Sequence, residues 1–240
     1  FPDLTRFART GRWADFGDEV GRTARSVALF TIASTGALVA LAEPISRVVA
    51  LGNAADHVTE VAGAVAGFAV GVPGYAMVLL LTRVAYSYQD TRTPTLVNIG
   101  VAVLGTALMA VMAAVAPSSD RITVLGLGYG SAQLVGAVVL AVSVRATVHG
   151  HGARIPTVAV PILRDVVATA VAAIGVYAAV RAWSGTGTIG AVVVCVVGGA
   201  VLSVAALVVL RLIGGPDPRR ALRTLGGDPG RVLGSGVGNP

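Results

Sequence analysis

Charged residues, lysine and cysteine are scarce in this sequence. Only 12% of its 240 residues are charged and 55% are hydrophobic, whereas a soluble domain carries about 25% charged residues. This shortage of polar surface excludes an ordinary soluble globule, and the high apolar content excludes a disordered chain. The single cysteine, Cys195, cannot form an intrachain disulfide. The composition therefore indicates a protein whose surface is covered by lipid.

Arginine supplies all the positive charge. The 18 basic residues are arginines, and against 12 acids they give a net charge of +6. In a soluble protein this excess would favour a nucleic-acid partner, but here the arginines separate apolar runs, where membrane proteins carry their orientation signals. We therefore expect no nucleic-acid partner. The chain begins at Phe1 without a signal-peptide pattern, which predicts an internal piece of a longer protein.

Six apolar runs approach or exceed the length of about 20 residues with which a helix crosses a bilayer. Helices also pair every backbone group internally, as hydrocarbon requires. The predicted fold is therefore all-α: a polytopic membrane helix bundle with six transmembrane helices in region 26–213. The runs cover residues 26–42, 61–82, 96–116, 122–144, 166–180 and 189–210.

The arginines predict the orientation of the bundle. Six spans place both chain ends on one side of the membrane, and that side carries fifteen of the 18 arginines. The positive-inside rule then puts both termini in the cytoplasm. The arginines of the opposite side are Arg47, Arg121 and Arg181.

Two segments flank the predicted bundle. Residues 1–25 mix apolar side chains with Arg and Asp, which predicts a cytoplasmic helix lying in the membrane interface. A solvated loop with a few apolar anchors is the alternative. Residues 214–240 contain eight Gly and four Pro, which predicts a flexible cytoplasmic tail.

The second run contains a candidate helix hinge. Gly63, Gly67 and Gly71 are spaced by four residues, which presents a smooth stripe to a neighbouring helix. Pro73 then removes a backbone donor, so that Gly71, Pro73 and Gly74 together form the candidate hinge. Packing alone is the favoured alternative, because Gly and Pro are frequent in membrane helices.

A carboxylate lies near the outer end of the first run. Glu43 stands four residues before Arg47, a spacing that pairs opposite charges on one helix face. An ion pair at the water boundary is therefore predicted. A functional carboxylate within the membrane is the alternative.

Signals of catalysis or metal binding are weak. His149 and His151 lie close together but have no further ligands at metal-binding spacing, so they predict a solvated loop and no metal site. The sequence also has no phosphate-binding glycine loop, zinc motif or catalytic triad pattern. We therefore expect neither an enzyme nor a cofactor.

A polar turn joins the second and third runs. Thr93 and Pro94 fit a helix start, with Thr as the cap and Pro at the first position. Asp90 and Arg92 would then be the charges of a solvated turn. Alternatively, they contact neighbouring helix ends and form a cytoplasmic gate.

Four motifs resemble one protein family. The stretch LTRVAYSYQDTRTP at residues 81–94 is similar to a turn typical of the MurJ (MviN) family of lipid II flippases. Three further segments agree with the family in order and spacing, and together the motifs place the resemblance over residues 1–213. They are FPDLTRFARTGRW at 1–13, EPISR at 43–47 and GVPGY at 71–75.

This resemblance implies a fourteen-helix fold in two lobes, of which the chain would be helices nine to fourteen. It implies the C-terminal portion of a flippase that exports lipid II, an undecaprenyl-linked peptidoglycan precursor, by alternating access across the cytoplasmic membrane. The last two helices, about 165–183 and 189–210, would form a groove for the lipid tail. The implied partners are lipid II, membrane lipids and the N-terminal half of the same protein.

The sequence also departs from the family. The arginines of the family's central cavity belong to its first eight helices, and Gly105 and Met109 stand where some members carry sodium ligands. One alternative is an exporter of another lipid-linked polysaccharide. A second is a membrane anchor or scaffold whose cytoplasmic tail recruits cytosolic cell-wall regulators.

Overall fold

Helices make up nearly all of the described structure. The computed structural model describes residues 2–49, 58–117, 120–156, 159–182 and 197–198, and within these ranges it contains helices and no strand. The predicted all-α class is confirmed for this part of the chain. The helices are α1 (Pro2–Arg9), α2 (Trp13–Ala40), α3 (Ala42–Val49), α4 (Val58–Ala69), α5 (Val72–Ser87), α6 (Arg92–Val115), α7 (Arg121–Gly150) and α8 (Ala159–Ala182).

Among the described residues, four helical stretches are long and apolar enough to cross a membrane: α2, α4 together with α5, α6, and α7. They cover all but the last one or two residues of the first four predicted runs, and the fifth run lies on α8. The sixth run and the tail fall outside the described residues, apart from residues 197 and 198. A helical membrane protein is thus supported, while the total of six spans stays a prediction.

The first span begins well before the predicted residue 26. Its helix, α2, starts at Trp13, because Phe16, Val20 and Ala24 recur every four residues and form one buried face. The predicted interfacial segment 1–25 is therefore divided between α1 and the first turns of α2.

A hydrophobic core joins α1, α2, α5 and α7 near one end of the bundle. Phe16, Val84, Leu140 and Val148 are fully buried in it. In contrast, α6 leaves most of its apolar side chains exposed, and Leu96, Ile99 and Val103 are examples. This pattern suits a bundle whose outer surface faces lipid, because hydrocarbon imposes no cost on exposed apolar groups.

The second span is interrupted at Val70 and Gly71, between α4 and α5. On both sides of this break, glycines bring the span into backbone contact with α7. A Cβ on Gly71 would lie 2.7 Å from Cα of Gly130, and a Cβ on Gly74 would lie 2.7 Å from the backbone N of Leu134. The helix that approaches the glycine stripe is thus α7, which contributes glycines of its own.

We predict that Gly126→Ala destabilises the protein by about 1–3 kcal/mol, the usual cost of overpacking. A Cβ at Gly126 would lie 2.7 Å from backbone atoms of Gly67 and Phe68, which cannot move independently of α4. The measurement is the thermal unfolding midpoint of the purified membrane protein. Gly100→Ala on α6 is the control, because a Cβ there meets nothing within 4 Å, and equal midpoints for the two variants would contradict the prediction.

Candidate functional site at the arginine-rich end

Three helices finish at the same end of the bundle. α1, α5 and α7 all terminate there, and most of the described arginines lie at this end, which we call the arginine-rich end. It comprises α1, the start of α2, the turn between α5 and α6, and the end of α7 with residues 151–156. It also contains Asp90 and Arg92, the gate candidates.

The turn between α5 and α6 is fixed by backbone hydrogen bonds. The N–H of Gln89 donates to the carbonyl of Tyr86, and the N–H of Asp90 donates to that of Ala85, both at 3.1 Å. Gln89 adopts a left-handed φ of 66°. This is a Schellman motif, which pairs the last carbonyls of a helix, although glycine is the usual residue at the left-handed position.

Asp90 caps the start of α6. Its Oδ1 accepts hydrogen bonds from the backbone N–H groups of Arg92 at 3.1 Å and of Thr93 at 3.0 Å. The prediction that Thr93 is the cap is therefore wrong, since the helix begins at Arg92, two residues before the predicted first position at Pro94, and Thr93 serves as a donor. The hydroxyl and backbone N–H of Thr93 hold the pKa of the Asp90 carboxyl below its ordinary value.

Arg92 is exposed, and its guanidinium forms no ion pair with a carboxylate of the described residues. It does not pair with Asp90, because that carboxylate is occupied by the backbone of α6. A cation at a helix N-terminus is also disfavoured by the helix dipole. The side chain is therefore available to an external anion or carboxylate.

A cavity of about 440 Å³ opens beside this turn. Its lining comes from four elements and includes no carboxylate. The lining residues are Thr5, Ala8 and Arg9 of α1, Trp13 of α2, Tyr86, Ser87, Tyr88 and Gln89 at the end of α5, and Thr147 and His151 at the end of α7. Asp90 and Arg92 are not among them.

Trp13 is the centre of the aromatic cluster in this wall. Its ring stacks on His151 with centroids 3.8 Å apart, and it lies 5.4 Å from Phe16 and 6.4 Å from Tyr88. Burial raises the pKa of the Tyr88 phenol, and the neighbouring Thr147 hydroxyl offsets part of this rise. The cluster ties the start of α2 to the ends of α5 and α7.

His149 lies within α7 and not in the predicted solvated loop, whereas His151 is an exposed turn residue that follows the helix. α7 extends through Gly150, and His151 is its C-cap. The ring Nδ1 lies 2.8 Å from the carbonyl of Thr147, so Nδ1 carries the proton in this contact. Within the described residues, no group of three or more His, Cys, Asp or Glu side chains could hold a metal ion.

The same Schellman motif ends three helices at the arginine-rich end. Gly11 after α1 and Gly152 after α7 have φ values of 70° and 76°, like Gln89 after α5, and both make the same pair of backbone hydrogen bonds. Three negative helix-dipole ends therefore meet near the cavity, where cations are favoured. This wall can bind and orient polar groups, but it offers no paired nucleophile and base.

The other predicted sites lie elsewhere in the bundle. Glu43 and Arg47 form an ion pair one turn apart on α3, with both side chains partly exposed, at the end opposite to the turn. Gly71 is the N-cap of α5, with Pro73 following in its first turn. The structure does not bring the turn, the break and the ion pair together.

Sequence reasoning missed the cavity residues of α2 and α7. Trp13 and His151 are far apart in sequence, and the sequence analysis considered His151 only as a metal ligand beside His149. Gly105 and Met109, at the positions where the family resemblance implied absent sodium ligands, both pack against α7: a Cβ on Gly105 would lie 3.4 Å from that of Ala132, and a Cβ on Gly128 would lie 3.1 Å from the backbone N of Met109.

Comparisons with known proteins fit this architecture. The family model described as "Lipid II flippase MurJ" matches residues 1–198. Among solved structures, the chain is similar to "Lipid II flippase MurJ, inward closed conformation", with a TM-score of 0.61 and 16% sequence identity over 88% of the chain. The chain spans 42% of the length of that structure. No curated protein sequence matches the chain.

We predict that Asp90→Ala lowers stability by about 0.5–2 kcal/mol at neutral pH, the usual cost of losing a helix cap. Because the folded-state pKa is lowered, the stabilisation is complete above the ordinary pKa of an aspartate and is lost as the pH falls through the lowered value. The unfolding midpoints of wild type and variant should therefore converge on acidification. Asp18→Ala is the control, since Asp18 is exposed on α2, and a constant difference at all pH values would refute the role of the charge.

Proposed function

Because the chain belongs to the lipid II flippase MurJ family, we propose that it is the C-terminal portion of a flippase that moves lipid II across the cytoplasmic membrane by alternating access. The observation that carries this proposal is the family match over residues 1–198, on a chain whose described part contains four helical stretches long and apolar enough to cross a membrane. Flippases of this family are transporters, so the described cavity is proposed to serve conformational change and not catalysis.

The proposed unit is incomplete without the other half of the protein. We propose that the chain corresponds to helices nine to fourteen, with both ends cytoplasmic, and that the N-terminal half supplies the cationic site for the pyrophosphate of lipid II. In support, most of the described arginines lie within two turns of a helix end, Arg22 and Arg25 of α2 being the exceptions, whereas a pyrophosphate in the membrane would require charge-assisted hydrogen bonds at depth. The scaffold alternative depends on residues 214–240, outside the described part of the chain.

We predict that liposomes containing the full-length protein flip labelled lipid II, whereas liposomes containing only residues 1–240 do not. Transport requires a site whose affinity differs between the inward and outward states, and the cationic site that we propose in the N-terminal half would be missing. Transfer of lipid II to the opposite leaflet is the measurement. A lipid-linked polysaccharide other than lipid II is tested in parallel. If the full-length protein moves this lipid and not lipid II, the protein is the alternative exporter. Transfer of lipid II by residues 1–240 alone would show that the cargo site lies within these residues and not in the N-terminal half.

The inner gate is proposed at the turn between α5 and α6. Asp90 fixes the first residues of α6 through the backbone of Arg92 and Thr93, so the guanidinium of Arg92 projects from an anchored helix end. Helix ends on the cytoplasmic side of an alternating-access transporter close together in the outward-facing state. An exposed ion pair contributes only about 0–1 kcal/mol, but one that closure removes from water biases the equilibrium more strongly. The interrupted second span, with Gly71, Pro73 and Gly74, is the proposed hinge.

For the gate, we predict that Arg92→Ala abolishes complementation of flippase-depleted cells while membrane abundance stays normal. The variant removes the exposed guanidinium without disturbing the backbone N–H that Asp90 holds. Growth and abundance are measured together in the full-length protein. Arg145→Ala, at another exposed arginine of the same end, is the matched control. Normal growth of the Arg92 variant at normal abundance would assign Arg92 to a solvated turn.

A further inference from the structure

Proline at position 73 leaves a backbone carbonyl without its regular donor. In an uninterrupted helix the N–H of residue 73 would donate to the carbonyl of Ala69, four residues earlier. Pro73 has no N–H, and α4 ends at Ala69. The interruption lies within a stretch apolar enough to span a membrane, where water cannot replace the missing donor.

A hydroxyl of a different helix supplies the missing hydrogen bond. Thr35 Oγ1 of α2 lies 3.0 Å from the carbonyl oxygen of Ala69, which is 34 positions away in sequence. Ala69 is itself buried, at 2% exposure. The same hydroxyl lies 2.9 Å from the carbonyl of Thr31, one turn earlier in its own helix. A threonine hydroxyl has a single hydrogen, so these two carbonyls compete for it.

Neighbouring hydroxyls of α2 behave differently. Thr31 Oγ1 contacts the carbonyls of Val27 and Ala28, and Ser34 Oγ contacts that of Phe30. All of these acceptors belong to α2 itself, which is the ordinary arrangement for Ser and Thr in a membrane helix. The contact between Thr35 and α4 is therefore specific to the position that faces the interruption.

The interruption is held from two sides. Opposite α2, Gly71 touches Gly130 of α7 so closely that a Cβ on either residue would meet the backbone of the other. On α2, the residue after Thr35 is Gly36, whose Cβ would lie 2.5 Å from the side chain of Thr169 on α8. Adjacent residues of α2 thus contact the interrupted span and α8.

We infer that Thr35 is a positioning residue that replaces the donor lost at Pro73 and fixes the angle between α4 and α5. Its second acceptor, the carbonyl of Thr31, gives the hydroxyl an alternative partner within its own helix. The contact with Ala69 can therefore break without leaving the donor unpaired, so that only one carbonyl is exposed when α4 moves. This role does not depend on the identity of the transported lipid.

A double-mutant cycle tests the inference in the full-length protein. Thr35→Val removes the hydroxyl and keeps the shape, while Pro73→Ala restores an N–H that can donate to Ala69. Spin labels on cysteines at the exposed positions Thr59 of α4 and Leu79 of α5, in a background free of other cysteines, report the distance across the interruption. The thermal unfolding midpoint is the second readout.

Thr35→Val should shift or broaden the distance distribution and lower the unfolding midpoint, and Thr35→Ser should restore both. Thr31→Val, which removes a hydroxyl that bonds only α2, should leave the distances unchanged. In the Pro73→Ala background, Thr35→Val should have no further effect on either readout. If Thr35→Val alone fails to accumulate, Pro73→Ala should rescue it. Equal effects of Thr35→Val in both backgrounds, or failure of that rescue, would overturn the inference.

Discussion

Backbone polar groups inside a bilayer have no water to bond, so each one must find a partner within the protein. Continuous helices meet this requirement without help from their neighbours. The interruption between α4 and α5 does not, because Pro73 cannot donate to Ala69. Two surrounding helices contact the interruption: α2 supplies the hydroxyl of Thr35, and α7 fits against the glycines of the break.

Glycine makes this arrangement possible on the α7 side. Where Gly71 faces Gly130, two backbones touch without intervening side chains, and dispersion contacts replace the hydrophobic effect, which has little force between helices in lipid. The same close packing recurs between α6 and α7. The backbone of Met109 packs against Gly128, and the side chain of Val101 packs against Gly136. Through its glycines, α7 therefore makes close contacts with α4, α5 and α6.

At the arginine-rich end the constraint changes, because water reaches the helix termini. There the final carbonyls are paired by Schellman motifs after α1, α5 and α7, and Asp90 pairs the first donors of α6. Trp13 and His151 join elements that are distant in sequence. This end is thus built around a cavity, while Arg92 is exposed in the neighbouring turn and forms no ion pair within the described residues, and both properties suit a proposed gate in a flippase of this family.

Composition and hydropathy were sufficient to predict a helical membrane protein, because a helix of about 20 consecutive apolar residues spans the hydrocarbon core of a bilayer. The predicted family was also confirmed by the match over residues 1–198. Local patterns were less reliable at helix ends: Thr93 and Pro94 suggested a cap, but Asp90 provides it, since one hydrogen-bond acceptor placed a turn earlier can reach two donors at once.

Contacts between distant segments could not be predicted from the residues that make them. The sequence marked Pro73 and its glycines as a weak point of the second span, and it carries four threonines and serines on α2 between residues 26 and 35. Which of these hydroxyls faces Ala69 depends on the rotation of α2 against α4, and that rotation is set by side-chain packing over the whole bundle. The sequence by itself determined that the second span would break, whereas only the tertiary structure decided that Thr35 would hold it.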